Sequence, residues 1–328
     1  MAFDLLVQKG KMGFIVPKAL CFASNWQKIR EYIWDNVETI VDCGKVWKEV
    51  KLEQVVFVIN KGKKTTSYTS GKFENGNLRI LGKIDKKDAK EFSLFLNGVT
   101  SKEVEVAKKI FTVGMFLNDI VENRRGVILN KFIKDGKYSV IGCKEIDRYK
   151  VRKIRGLINK DLSNTNAEIR DNSVLVQGIV AHIENPIDHI KIIANVPDKK
   201  DYFIADNINQ IIVDKNYSNY FVWAILNSIL INWYAYRFIY GKSIRTMRFD
   251  NPVTSRLPIP KNTKDNQVVF IELAKKIICL GQELQTVSPN TDKHSDLKNK
   301  IGRLETEMNK EIYKLYGLTN EEIKTIEQ

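Results

Sequence analysis

Fourteen residues, CKEIDRYKVRKIRG (143–156), carry Lys144, Arg148, Lys150, Arg152, Lys153 and Arg155 around a single Tyr149. Cations at that density suit a polyanion. Lys and Arg pair with phosphates, and Arg also grips guanine bidentately. If residues 149–155 are extended, side chains alternate, so Lys153 and Arg155 share a face with Tyr149 and Val151 while Arg152 takes the other. The plainer reading is a solvated edge strand whose charges discourage aggregation. A second cluster, GKSIRTMRFDNPVTSR (241–256), holds Lys242, Arg245, Arg248 and Arg256, with Ser243 and Thr246 as further donors to phosphate. There the plainer reading is a helix C-terminus that favours cations. NRRG (123–126) is a third, smaller group.

Other chemistries find less support. Asp42 with Glu49-Val50-Lys51 imitates the D…ExK set of metal-dependent nucleases, in which carboxylates hold Mg²⁺. The same residues read more simply as strand ends. His182 and His189 are seven apart with no third ligand, so no metal is expected. There is no Ser/His/Asp signature and no glycine-rich phosphate loop, and no catalytic residue is assigned. Cys21, Cys43, Cys143 and Cys279 are far apart in sequence. They indicate neither a disulfide framework nor a zinc site of short spacing, and read as reduced, buried thiols of a cytoplasmic protein. No apolar run reaches the ~18 residues of a membrane helix. The longest, FVWAILNSILINWYAY, is broken by Asn227, Ser228 and Asn232. The N-terminus lacks the pattern of a signal peptide.

These residues need elements to position them. The 328 residues suffice for about two domains. The net charge of +14 divides as +4 over residues 1–65, +11 over 66–262 and −1 over 263–328. The excess therefore sits in the middle, where a nucleic-acid partner fits best, although a lysine-rich genome alone also enriches Lys. In residues 1–65, FDLLVQKGK reads as the end of a helix closed by Gly10. MGFIVP, ETIVDCG and EQVVFVINKG read as strands, and NWQKIREYIWDN as a helix. Apolar strands alternating with a helix imply an α/β sheet buried on both faces. Residues 66–262 are mixed α+β, with β-like runs YSVIGC, SVLVQGIVAHI, HIKIIANV and NQIIVD, then a long aromatic helix over 217–240. RLPIPK closes the segment. In residues 263–328, Val269, Leu273, Ile277, Leu280 and Leu284 form one apolar stripe. Leu297, Ile301, Leu304, Met308, Ile312 and Leu315 form another. Together they read as an antiparallel helical hairpin. A last helix begins at Thr319, with Glu322 completing a capping box.

Several of these stretches resemble the TaqI-like and Eco57I-like adenine-N6 DNA methyltransferases of restriction-modification systems. LVQKGKMGFIVPKAL…NWQKIREYI and VDCGKVWKEVKLEQVVFVINKG are similar to the region after the catalytic motif. YSVIGCKEIDRYKV, NSVLVQGIVAHI, YFVWAILNSILINWYAY and RLPIP resemble successive boxes of the TaqI-like specificity domain, and LETEMNKEIYKLYGLTNEEI a common ending of such chains. The resemblance implies an α/β fragment over residues 1–65, the back half of a methyltransferase sheet. It implies a target-recognition domain over 66–262 and a helical hairpin over 263–328.

The resemblance also implies what this sequence lacks. The family holds S-adenosylmethionine at a glycine-rich strand-to-helix turn and grips the adenine with Asn-Pro-Pro-Tyr/Phe. Here Asn185-Pro186 is followed by Ile187 and Asn251-Pro252 by Val253. The expectation is double-stranded DNA as ligand and a separate methyltransferase polypeptide as partner, which would carry S-adenosylmethionine. The chain is not expected to be catalytic alone. Alternatives are a catalytically inactive DNA-binding or assembly subunit, or a truncated gene product. Trp47 stands where the family has an aromatic, usually Phe, that stacks on the flipped-out adenine. The plainer reading is a core aromatic beside a strand.

Overall fold

β1 (Lys11–Pro17) ends at Pro17, which has no N–H to continue a ladder. The computed structural model describes residues 2–328 apart from Lys48, Lys51, Lys63, Thr246 and residues 262–265. Residues 2–9 form turns and not the expected helix end. The reason is pairing: Lys9 N donates to Lys61 O (2.7 Å) and Lys61 N to Gly10 O (3.0 Å), which holds this stretch beside the sheet.

α1 (Gln27–Ile33), β2 (Val37–Gly44) and β3 (Gln54–Asn60) follow as expected. β3 lies between β1 and β2, antiparallel to both. The sheet does not stop at residue 65. β4 (Ser67–Glu74) pairs in parallel with β2, joining Thr39–Asp42 to Thr69–Lys72, and β5 (Asn77–Asp85) returns antiparallel. Asn75-Gly76 makes that hairpin turn with φ of 51° and 79°, the left-handed pair that a tight hairpin demands. The order is β1-β3-β2-β4-β5. Burial on both faces holds only for the middle of the sheet. β3 is largely buried, whereas Phe14 and Ile15 on β1 and Leu78, Ile80 and Leu81 on β5 are exposed. α2 (Lys86–Glu91) is capped by Asp85, and α3 (Ser101–Phe111) follows. The first compact unit runs to Lys109 and includes Tyr234–Met247. Its core stacks Trp34 on Phe95 (4.6 Å) and packs Phe92 against Phe238.

Lys86 is 4% exposed and donates to Asp35 O (2.7 Å) and Thr65 Oγ1 (2.8 Å). Burial pushes its ammonium down to about 8, against the pull of Asp35. The folded value lies below the ordinary 10.5, so unfolding takes up a proton between the two. Stability gains from Lys86 as pH rises through that window. Lys86→Met should remove this gain. Denaturation midpoints of both proteins across the window measure it, and parallel profiles would contradict it.

The second unit covers Ile110–Trp233 and Arg248–Gln328. It opens with β6 (Gly114–Phe116), β7 (Val121–Arg125), β8 (Tyr138–Ile141) and β9 (Gly156–Ile158). The apolar runs read from the sequence become β10 (Ser173–Gln177), β11 (Ala181–Ile183), β12 (His189–Lys191), β13 (Ala194–Asn195), β14 (Tyr202–Ile204) and β15 (Ile208–Val213). One sheet has the order β13-β10-β15-β7 and another β14-β8-β9, with β14 parallel to β8. Leu129, Val140, Ile158 and Phe203 form one core, and Ile141, Ile146, Leu175 and Ile204 a neighbouring one.

The long aromatic helix is two helices, α4 (Asn219–Leu226) and α5 (Ile229–Phe238). Asn227 and Ser228 interrupt it because their side chains bond backbone: Ser228 Oγ donates to Ile225 O (2.7 Å) and Asn227 Nδ2 to Ala194 O (3.1 Å). After α6 (Asn251–Thr254) and β16 (Pro258–Pro260) come α7 (Gln267–Leu284), α8 (Asp292–Leu315) and α9 (Asn320–Glu327). α7 and α8 pack on each other. α8 buries Leu297, Ile301, Met308 and Ile312 as expected. α7 is rotated from the expected stripe: Val269 is exposed, while Phe270, Ala274, Ile278 and Gly281 join Leu273 and Ile277 inside. The capping box forms at α9, where Thr319 N donates to Glu322 Oε2 (2.7 Å). All four cysteines are free, and only Cys21 is buried while Cys279 is exposed. No helix among the described residues is long and apolar enough to cross a membrane.

Candidate nucleic-acid interface

The basic stretch after β8 is a loop, not an extended strand. Asp147 folds it. Its Oδ1 accepts from Tyr149 N (2.7 Å) and Lys150 N (2.9 Å), and its Oδ2 from Arg152 Nε (2.7 Å) and Gln285 Nε2 (2.6 Å). A short bridge, Ile146 to Val151, closes it. Burial raises the Asp147 carboxyl, but Arg152 and the two amides outweigh it and hold it below the ordinary carboxylate range. The face-by-face alternation expected over 149–155 therefore does not arise.

The loop sorts its cations by location. Arg148 turns inward, ion-paired with Glu305 and 4.9 Å over the Trp223 ring. Trp223 Nε1 donates to Arg148 O (3.0 Å). Arg155 is also held, with Nε donating to Glu145 Oε2 (3.0 Å) and Nη1 to Asn130 Oδ1 (3.0 Å). Both belong to the scaffold. Lys144, Arg152 and Lys153 are exposed and Lys150 is half-buried. Of these, Arg152 is paired with Asp147.

Tyr149, grouped with the cations in sequence, packs into the protein. A Cβ on Gly281 of α7 would stand 2.3 Å from Tyr149 Cγ, so only glycine leaves room for the ring. Burial, with the Glu305 carboxylate, raises the Tyr149 hydroxyl to about 12. Gly281→Ala is a test of this packing. Helix propensity alone favours Ala by about 1 kcal/mol. Overpacking against the ring costs about 1–3 kcal/mol. A net loss of stability is expected in urea denaturation; a gain would show that the ring is not held there.

A second loop shares this surface. Asn130, the Arg155 partner, begins a 3₁₀ turn, Asn130–Phe132, and Lys134 N donates to Leu157 O (3.0 Å) beside Arg155. Residues 128–155 hold nine Lys/Arg and three Asp/Glu, and two of those acids, Glu145 and Asp147, are buried in the bonds just described. Sequence reasoning missed the 128–134 segment because its lysines are spread among apolar residues.

The 241–256 cluster is positioned from within the first unit as far as Arg245. Gly241 and Lys242 take φ of 56° and 55°, ending α5 in the left-handed conformation. Buried Glu53 then ties down the chain. Its Oε2 accepts from Ser243 Oγ (2.8 Å), Ile244 N (2.8 Å) and Arg245 N (3.2 Å). Its Oε1 accepts from Lys18 Nζ (3.3 Å), which also donates to Asp42 Oδ2 (2.6 Å) and Lys242 O (2.7 Å). Burial works against the Lys18 charge, but Asp42 and Glu53 outweigh it and hold it above its ordinary value. Ser243 is thus spent on Glu53 and Arg245 O. Asp42 is committed to Lys18, away from a nuclease role, and Lys51 lies outside the described residues, as does Thr246. Lys242 Nζ donates to Gly98 O (3.2 Å), while Arg245 is exposed. In the second unit Arg248 is exposed and bridged to Ile179. Arg124 pairs with Glu122 and Arg125 with Asp206. Trp47 is 45% exposed in the loop between β2 and β3, so it is not a core aromatic. His182 bonds Asp188 (2.6 Å), and no group of metal-ligating side chains occurs among the described residues.

No protein-family model and no curated protein matches this sequence. Among solved structures, the chain is similar to the type IIL restriction-modification enzyme MmeI in complex with DNA. The TM-score is 0.55 at 9% identity, over 96% of this chain and 48% of that one. It also aligns with the type IIG restriction endonuclease BpuSI, at TM-score 0.40 and 13% identity over 97% of this chain and 49% of that one. With the HsdS subunit from Thermoanaerobacter tengcongensis the TM-score is 0.33 at 11% identity, over 68% of this chain and 52% of that one. The chain spans about half the length of each. The likeness to MmeI is one of fold.

Proposed function

We propose that this chain is the DNA target-recognition part of a restriction-modification enzyme. The observation that carries the reading is the fold shared with MmeI, itself solved on DNA. The basic loops support it: exposed Lys144, Arg152 and Lys153 and half-buried Lys150 supply phosphate contacts, and inward-turned Arg148 and Arg155 hold them in place. Arg245 and Arg248 are further contacts in the same role.

Adenine-N6 methyl transfer is the chemistry that the sequence resemblance points to. The residues described here do not fit S-adenosylmethionine. In the first unit, the chain leaves β1 through Pro17-Lys18 and enters α2 through Asp85-Lys86. Neither turn has a glycine to bring backbone N–H groups close to the cofactor. A methyltransferase segment outside these residues would carry it. Edge strand β1 supports such a companion. Among the described residues it pairs with β3 alone, and Phe14 and Ile15 stand exposed on it. An open apolar edge favours a covering strand. In that assembly Trp47 offers its ring to an extruded base.

The test is titration of duplex DNA against the full chain at several salt concentrations. Log affinity should fall linearly with log salt, at a slope near −0.9 per phosphate contact. Absence of duplex binding at low salt would refute the reading.

A further inference from the structure

Ile128 and Phe132 stand outside the cores on the basic face of the second unit, as does Ile154 of the neighbouring loop. Ile128 is 61% exposed and Phe132 45% exposed. Their neighbours face the other way, for Leu129 is buried in the core and Ile133 packs on it. The 3₁₀ turn fixes this division, with Phe132 N donating to Leu129 O (2.9 Å). Arg155 ties the turn, through Asn130, to the loop bearing Lys144, Lys150, Arg152 and Lys153. The Lys131 ammonium lies 5.2 Å from the Phe132 ring centroid, and Lys131 and Lys134 are exposed.

An exposed aromatic costs solvation free energy, and apolar surface ringed by polar groups marks a contact site. Here the ring of groups is cationic. We propose that Phe132, backed by Ile128, wedges against a base step of duplex DNA while Lys131 and Lys134 hold the flanking phosphates. Apolar wedges of this kind unstack a step and let more protein surface reach the duplex. The turn is a compact knob of two apolar residues. It lacks the long apolar helix face by which proteins lie on lipid, so a nucleic acid is the better occupant. The inference rests on the DNA-recognition reading and adds the residues that touch bases.

The experiment uses the full chain and a mixed-sequence duplex with 2-aminopurine placed at successive positions. The wild type should brighten the probe at the wedged step. The double variant Ile128→Ser/Phe132→Ser should lose the brightening and about tenfold in affinity, with an unchanged salt slope. Lys131→Gln/Lys134→Gln should instead lower the salt slope. Both variants change exposed side chains, and near-ultraviolet circular dichroism checks their fold. If the Ser variant keeps brightening and affinity, the wedge is wrong and DNA binding stands. If the wild type binds no duplex, both readings fall. If the Ser variant loses only sedimentation with anionic vesicles, the knob belongs to a lipid surface and the proposal is overturned.

Discussion

Glu53→Ala should cost this protein about 3–5 kcal/mol of stability, the range for breaking a buried ion pair by removing one partner. The Glu53 carboxylate is 5% exposed and satisfies four donors on two separate stretches of chain. Without it, the 4%-exposed Lys18 keeps only Asp42 and a backbone carbonyl, and three donors of residues 243–245 lose their acceptor. Glu53→Gln keeps one acceptor oxygen, which can serve the donors of residues 243–245 but not Lys18 as well, and should lose roughly half as much, since a hydrogen bond to a charged group is worth about 1.5–3 kcal/mol. Chemical denaturation of the three proteins measures both. A loss below about 1 kcal/mol for Ala would mean that water replaces the carboxylate, contrary to its burial. The same network makes a statement about pH. Lys18 is held above its ordinary value, so its contribution is complete below the unfolded value and fades as pH climbs through the folded one.

The second large effect concerns DNA. Replacing Lys144, Lys150, Arg152 and Lys153 together with Ala should reduce the magnitude of the salt slope by about three to four, at ~0.9 per phosphate. At moderate salt this amounts to roughly a hundredfold weaker binding or more. Arg155→Ala should act differently. It strips a partner from buried Glu145 and unties Asn130, so its first effect falls on thermal stability, not on the salt slope. Arg148→Ala belongs with it, because its charge faces Glu305 and Trp223. A quadruple variant with an unaltered slope, or an Arg155→Ala protein that is as stable as wild type yet blind to DNA, would reverse this sorting of scaffold from contact.

Local pattern carried much of the fold. The Val- and Ile-rich runs became β1, β2, β3, β8, β10 and β15 because β-branched residues suit a pleated, half-buried surface whatever lies around them. Thr319 and Glu322 specified a helix start unaided, since a capping box closes within four residues. Asn227 and Ser228 broke an apolar run in the sequence, and they break the helix. The density of positive charge at 143–156 was visible at once, and so was the lack of an Asn-Pro-Pro-Tyr motif.

Other features depend on partners distant in the chain. Nothing near Arg148 announces that Glu305 neutralises it, and nothing near Tyr149 announces that Gly281 makes room for it. Composition therefore counted six equal cations where the fold makes two into struts. The sheet was expected to end near residue 65 because β4 and β5 carry few continuous apolar runs; parallel pairing with β2 supplies the order their own sequence does not. Phe132 and Ile133 are adjacent and equally apolar, yet one is exposed and the other packed, a choice made by the turn that Leu129 anchors. Periodicity reports what a residue prefers over a few ångströms. Which charge is free and which ring is exposed depends on contacts closed across tens or hundreds of residues, and those exist only once the chain has folded.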